Sequence, residues 1–373
     1  MEALHCEMVD QKTLYLSLEL SNKTWLLGFT DGSSGRSYGS IVSGDVDELR
    51  KRIVAAKSKF GLSADARVMS CYEAGRDGHW LHRALCAQGI ENIEVDAASI
   101  EVNRQMRRAK TDQLDREKLL TMLLRYDRGE KRVWKVVHVP SEAQEDARRP
   151  EREVGRLKQE MTGHRNRIRS LLVLHNERPK VIGGRDWGKQ MEALKQRLAP
   201  NLYAEVQRES ARLALARQQL HILEAQARAE SSTENATGKL INALLMLCGV
   251  GLRGSQVLVH ELFAWRHFSN RRQVAGAVGL VPTPYSSGTM SRELGISKAG
   301  NKRVRAVMAE MAWAWLRYQP DSALSRWFGA KFAANGARRR RVGIVALARR
   351  LLIALWRYLD SGVVPEGARL KAA

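Results

Sequence analysis

Cysteine is scarce in this chain. There are four in 373 residues, Cys6, Cys71, Cys86 and Cys248, and no two stand in C-x-x-C spacing. That excludes a dense disulfide framework and the common zinc patterns, and it fits reduced thiols in a cytosolic protein. Long apolar runs are also missing, since none approaches the roughly 18 residues of a membrane span. The opening, MEALHCEMVD, lacks a basic segment followed by an apolar one, so no signal peptide is expected. Internal repeats and long low-complexity tracts are absent as well. Acidic residues are in short supply: 40 Asp and Glu face 62 Lys and Arg, for a formal charge of +22. The shortage is uneven. Residues 1–100 hold 11 basic and 14 acidic residues, net −3, which leaves 51 basic against 26 acidic in the rest, net +25. A mildly acidic head on a strongly basic body calls for a polyanionic partner. Nucleic acid is the first choice and an anionic membrane surface the alternative.

What is present divides into three stretches. The first begins with LYLSLEL at 14–20, a polar break, TWLLGFT at 24–30 and the glycine-rich DGSSGRSYGSIV, which together predict an antiparallel meander. A helix follows over 45–61, then a strand ending at Glu73, a helix from about His79 to Gln88 and a strand around IENIEV. This order predicts an α/β fold with a mixed sheet. From about 140 to 235 the chain is rich in Arg and Glu and reads as helical throughout. Leu213, Leu220 and Leu223 suggest a coiled-coil-like seam, and ERPKVIGGRDWG at 177–188 a turn between two helical arms. Such a hairpin commonly serves dimer formation, the alternative being an ordinary helical spacer. Residues 236–373 form a third, mainly α region, with helices expected at 299–318 and 342–359 and the run KFAANGARRRRVG between them.

Four groups of residues bear on chemistry. Glu19 and Glu73 close strands, and Asp112 and Asp115 in AKTDQLDREKLL share a helical face at i, i+3. Converged carboxylates bind Mg²⁺ and support phosphodiester exchange, although Asp112 equally suits a helix cap. Gly249 and Gly251 in GVG precede a helix, where glycines let backbone N–H groups approach a phosphate or simply make a turn. In PYSSG at 284–288 the serines sit in an exposed turn after two prolines, and basic residues follow at Arg292, Lys298, Lys302, Arg303 and Arg305. A serine there bonds the turn backbone by default and attacks a phosphate only if activated, and no histidine is near in sequence to activate it. Last, Arg338, Arg339, Arg340 and Arg341 form a run suited to nucleic acid. Trp313, Trp315, Trp327 and Trp356 are assigned to the core rather than to base stacking.

Together these pieces resemble the insertion-sequence-110 family of transposases, the DEDD-type recombinases guided by a bridge RNA, over nearly the whole chain and in order. Glu73 in YEAG and the stretch KTDQLD match the family's acidic motifs. GVG at 249–251, FSNRRQ at 268–273, GLVP at 279–282, SSG at 286–288 and ISKAGN at 296–301 match its C-terminal ones. The resemblance implies an RNase H-like, Holliday-junction-resolvase-like domain over 1–139, a coiled-coil dimerisation segment over 140–235 and a transposase domain over 236–373. It implies Ser287 as nucleophile, a carboxylate set of Glu19, Glu73, Asp112 and Asp115 holding Mg²⁺, and nucleic-acid contacts from Gly249, Gly251, Lys298, Asn301, Lys302, Arg303, Arg305 and Arg338 to Arg341. It further implies donor and target DNA and a noncoding bridge RNA as partners, a homodimer pairing into a tetramer on DNA, and a prokaryotic cytoplasmic, nucleoid-associated location. Two positions depart from the pattern. Glu19 stands where the family has Asp, and Cys248 stands where it has Pro. A water-using junction nuclease and a catalytically silent nucleic-acid-binding relic are the alternative activities.

Overall fold

A computed structural model describes residues 12–33, 35–75, 77–100, 112–287, 290–333 and 336–371. The chain divides into two compact units, Met1–Pro140 and Ser141–Ala373.

The first unit is built on a five-stranded sheet of order β3-β2-β1-β4-β5. Strands β1 (Leu14–Glu19), β2 (Thr24–Thr30) and β3 (Ser37–Val42) form the antiparallel meander expected from the sequence. Strands β4 (Val68–Glu73) and β5 (Glu91–Val95) add to β1 in parallel. Two helices precede the parallel strands, α1 (Val46–Lys59), capped by Asp45, and α2 (Trp80–Ala87). A third, α3 (Asp112–Asp127), follows β5. Alternation along the strands gives the sheet two apolar faces. Leu14, Leu16, Leu18, Trp25, Leu27 and Tyr72 pack with Leu49, Ile53, Leu81 and Leu85 of α1 and α2. Met69, Cys71, Ile93 and Val95 pack with Leu119, Met122 and Leu123 of α3. Cys71, Cys86 and Cys248 are free thiols.

Among the described residues the second unit is helical apart from one hairpin and an isolated bridge between Leu247 and Leu370. It begins with α4 (Glu142–Asp146), α5 (Arg149–Val173), α6 (Trp187–Lys195) and α7 (Pro200–Ser231). Helices α5 and α7 pack as a long pair. Leu213 and Leu220 are buried in that pair with Leu157, Met161 and Ile168, so the leucine seam is used inside this chain. A second core gathers α8 (Ala236–Leu245), α9 (Leu252–Leu258), α10 (Arg271–Ala277), α11 (Lys302–Tyr318), α12 (Ala323–Phe328) and α13 (Ala337–Ser361) around Trp315, Met308, Leu347 and Leu351. Between α9 and α10 a π-helical turn spans Val259–Phe263. Strands β6 (Pro282–Ser287) and β7 (Met290–Ile296) form the hairpin. Helix α13 begins earlier than the sequence suggested. The four arginines therefore lie in its first turns, exposed, rather than in a linker. Arginine is a good helix former and Gly336 stops the chain just upstream, which explains the earlier start.

Candidate active site

Two groups of residues, one in each unit, carry the candidate chemistry. In the first unit Glu19 ends β1 and Glu73 ends β4. These strands are parallel neighbours whose last register pair is Leu18 with Tyr72, so the two carboxylates follow one step further along the same sheet end. Neighbouring strands lie about 4.8 Å apart. Alternation sends Glu19 and Glu73 to the face opposite Leu18 and Tyr72, which is the face that α3 covers. Helix α3 runs back along β1. Tyr15, near the start of the strand, donates to Asp127 at the end of the helix (2.6 Å), and Ser17 donates to the carbonyl of Arg116 (3.0 Å). The first turn of α3, with Asp112 and Asp115, thus lies toward the carboxylate end of β1. Asp115 is half-buried, and the side chain of Asp112 lies outside the described residues.

A cleft of about 410 Å³ opens at this end, lined by Glu19, Ser21, Asn22, Glu73, Gly75 and Asp77. Among the described residues no three acidic, histidine or cysteine side chains are gathered closely enough to hold a metal ion. Among the described residues the charged groups lining the cleft are carboxylates, the hard donor type that suits Mg²⁺ rather than a soft metal. Sequence reading missed Asp77, which sits in a loop with no periodicity to mark it. It also missed Arg116. This guanidinium is buried, lies 4.2 Å from the ring centroid of Tyr38, and packs its stem where a Cβ on Gly28 would come within 3.2 Å. Its signal was available: Arg116 continues the i, i+4 face that starts at Asp112.

In the second unit Ser287 is the last residue of β6. It stands opposite Met290, with Ser286 opposite Ser291, so the segment expected as an adaptable loop is the tip of a β-ribbon. The prolines fit because a two-stranded ribbon has free edges, where a residue without an N–H is tolerated. The side chains of residues 285–294, and Gly288 altogether, lie outside the described residues.

The base of this ribbon is fixed backbone to backbone. Ser297 N–H donates to Val281 O (2.9 Å), Lys298 N–H to Gly279 O (3.1 Å) and Asn301 N–H to Ala277 O (2.8 Å). The segments GLVP and ISKAGN are therefore two sides of one joint. Gly279 (φ +68°) and Gly300 (φ +88°) make it possible, because a Cβ on either would fall within 2.3 Å of a carbonyl oxygen across the joint. The Arg305 guanidinium locks it with a bond to Val278 O (2.7 Å).

Asn301 has two structural roles. Its Oδ1 accepts from the N–H groups of Arg303 and Val304 and caps α11. Its Nδ2 donates to Glu261 Oε2 (2.8 Å). Glu261, on the π-helical turn, is 2% exposed and is also held by both arms of the Arg152 guanidinium (2.9 and 3.0 Å). Burial pushes the Glu261 carboxyl up, but Arg152 and Asn301 outweigh it and hold it below its ordinary range.

Gly249 (φ +84°) lies against Ala314 and Tyr318 of α11, and Cys248 O accepts from the buried Gln319 (2.9 Å). Gly249 and Gly251 line a cleft of about 390 Å³ with Arg253, Arg303, Glu151 and Glu310. Lys298 and Lys302 are exposed, as are Arg338, Arg339, Arg340 and Arg341.

Comparison with known proteins gives these positions a class. The model of the Transposase IS116/IS110/IS902 family matches residues 241–326, which include the GVG turn, the joint and the ribbon. A Sinorhizobium fredii protein named "Putative transposase y4rJ" is 39% identical over 384 residues, covering 97% of this chain and 96% of its own length. A second from that organism, "Putative transposase y4qE", is 28% identical over 84% of this chain and 74% of its own length. A Yersinia enterocolitica protein, "Transposase for insertion sequence element IS1328", is 29% identical over 32% of this chain and 36% of its own length. The class is that of insertion-sequence transposases. This chain belongs to the IS116/IS110/IS902 transposase family. Among the described residues no helix is long and apolar enough to cross a membrane.

Proposed function

We propose that this chain is a DNA recombinase that mobilises an insertion sequence through a covalent phosphoserine intermediate. The observation that carries the proposal is the joint that roots the β6–β7 ribbon. It spends two glycines at positive φ, three cross-joint backbone bonds and Arg305 on holding in register a short ribbon whose strand ends at Ser287. A turn with no task beyond reversing the chain needs no such base. In the proposed step the Ser287 hydroxyl attacks a DNA phosphate. A bond forms between Oγ and phosphorus, the bond to the 3′ oxygen breaks, and the serine proton ends on that oxygen. Storing the phosphoester on the protein allows the reverse step on an exchanged strand without an outside energy source.

The first unit is read as RNase H-like, a reading supported by its strand order and mixed pairing. Glu19, Glu73, Asp112 and Asp115, with Asp77 in the same cleft as the two glutamates, would hold Mg²⁺, which when bound supplies charge stabilisation at a phosphate. Glu19 keeps the charge and oxygen donors of aspartate but reaches one methylene further. The basic excess of the chain supports joint carriage of DNA and a guide RNA, with base pairing rather than side chains reading sequence. Because the two groups of residues lie in separate units, we further propose a dimer that pairs into a tetramer on DNA.

The test is incubation with Mg²⁺, the RNA encoded beside the gene and labelled donor and target DNA, followed by denaturing electrophoresis. Label is expected on the protein, lost in Ser287→Ala and in Asp112→Ala, and increased in Glu19→Asp if the longer side chain slows the reaction. Cleaved DNA without an adduct, unchanged by Ser287→Ala, would overturn the serine mechanism in favour of hydrolysis.

A further inference from the structure

Tryptophan is the side chain a fold can least afford to leave in water. This chain has nine, and Trp313 is the most exposed of them at 44%. The sequence placed it in the core with Trp315, Trp327 and Trp356. Trp315 is fully buried, and Trp327 and Trp356 pack against the core, but Trp313 does neither. It projects from α11 toward the first turns of α13, where Arg340 lies 5.4 Å from its ring centroid. One turn further along α11 stands Arg317, which lies 5.4 Å from the ring of Tyr318, itself 52% exposed and also outside the core. Two arginine–aromatic pairs, Arg340 with Trp313 and Arg317 with Tyr318, thus lie one helical turn apart along α11, the first of them formed by the exposed arginine run.

We infer that this surface is a stacking platform for unpaired nucleotides, with the Trp313 indole as its main base-binding face. This rests on the proposed nucleic-acid function and goes beyond it by naming the strandedness of the partner and the residue that reads it. Every base has a π-face, so an aromatic ring binds any sequence, while flanking guanidinium groups hold the phosphates. A duplex offers no free base face to the indole. The charge of the surface argues against other occupants. A second copy of this chain would bring arginines against arginines, and a protein partner would have to be strongly acidic. An anionic membrane shares the charge but not the need for an unpaired base, and it is one outcome of the test.

Using the full chain, binding of one fluorescent 20-nucleotide strand, as RNA and as DNA, is compared with its duplex across a salt series. Parallel sedimentation uses vesicles of phosphatidylcholine with phosphatidylserine. Trp313→Ala is expected to weaken single-strand binding about tenfold, to leave duplex binding within twofold, and to leave the salt slope unchanged, because no phosphate contact is lost. Trp313→Phe keeps a ring and is expected to restore most of the affinity, whereas Arg338→Gln reduces the salt slope on both substrates. Trp313→Ala should unfold at the wild-type temperature, since the side chain lies outside the core. Equal losses on strand and duplex, or no loss on the strand, would overturn the inference while leaving the recombinase proposal standing. Vesicle binding that depends on Trp313 when strand binding does not would reassign the surface to a membrane. Absence of any nucleic-acid binding by the wild type would overturn both.

Discussion

A Cβ built on Gly300 lies 2.3 Å from the carbonyl oxygen of Ala277 and 2.8 Å from its carbon. Gly300→Ala is therefore the sharpest single perturbation of the joint. Both contacts are backbone, so no side-chain rotation relieves them and the two segments must separate. Three costs follow. The left-handed φ of +88° strains an alanine by about 1–2 kcal/mol. Separation weakens the bond from Asn301 N–H to Ala277 O, worth about 1 kcal/mol. The residual overlap adds to these, while the stiffer unfolded chain returns roughly 0.5–1 kcal/mol. The net destabilisation is about 2 kcal/mol or more, which for a unit of this size lowers Tm by roughly 4–8 °C. The control is close by. Gly276 sits in α10 with nothing within 4 Å of its added Cβ, and alanine is the better helix former, so Gly276→Ala should leave Tm unchanged or raise it. Both variants are melted in a calorimeter and then assayed for phosphoserine adduct well below either Tm. Gly300→Ala is expected to lose adduct by far more than its folded fraction falls, because the ribbon end has lost its register. An unchanged Tm would refute the steric reasoning. A lowered Tm with full adduct yield would refute the link between the joint and Ser287.

Two further outcomes concern titrating groups, one buried and one half-buried. Arg152→Ala leaves Glu261 buried with Asn301 as its remaining hydrogen-bond partner and should cost about 1–3 kcal/mol at neutral pH. Because the folded carboxyl lies below its unfolded value, its stabilisation is complete above that value and is lost as pH falls through the folded one. Denaturant titrations from pH 3 to 7 should show a flatter acid limb in this variant. In the first unit, burial holds the His82 imidazole below its ordinary range, beside Asn92 at 2.9 Å. Unfolding frees it to protonate near 6.5, so the stability it contributes is present above that pH and falls as the solution is acidified toward the folded value. His82→Gln should flatten the stability profile between pH 5 and 7, and an unaltered slope there would show that His82 is not the titrating group.

Much of the first unit was legible in the sequence because its strands alternate, α1 carries its Asp45 cap, and α1 and α2 have apolar residues at helical spacing. The meander, both parallel strands and the placement of Glu19 and Glu73 at strand ends follow from that local chemistry. What was not legible depends on long-range closure. Nothing in PTPYSSGTMSRELGI has the run of β-branched residues that marks a strand, and two prolines argue against one. The ribbon exists because GLVP and ISKAGN dock at its base, a contact between segments whose glycines look in sequence like ordinary turns. Asp77 escaped because it sits in an aperiodic loop, whereas Arg116 continued a readable helical face and only its burial, with its stem against Gly28, depended on long-range packing.

The basic residues after the ribbon show where sequence chemistry and structural role part. Arg305 and Asn301 read as phosphate ligands, yet Arg305 donates to Val278 O, and Asn301 caps α11 while holding Glu261. Either can touch DNA only with whatever donors these bonds leave over. Lys298 and Lys302 are exposed, and Lys298 takes a left-handed φ of 57° that an uncomplicated turn would assign to glycine or asparagine. Lys298 N–H itself donates to Gly279 O across the joint, so this backbone conformation serves the joint and leaves the ammonium exposed. Lys298 and Lys302 are thus the exposed lysines of this segment, while Asn301 and Arg305 hold it in place.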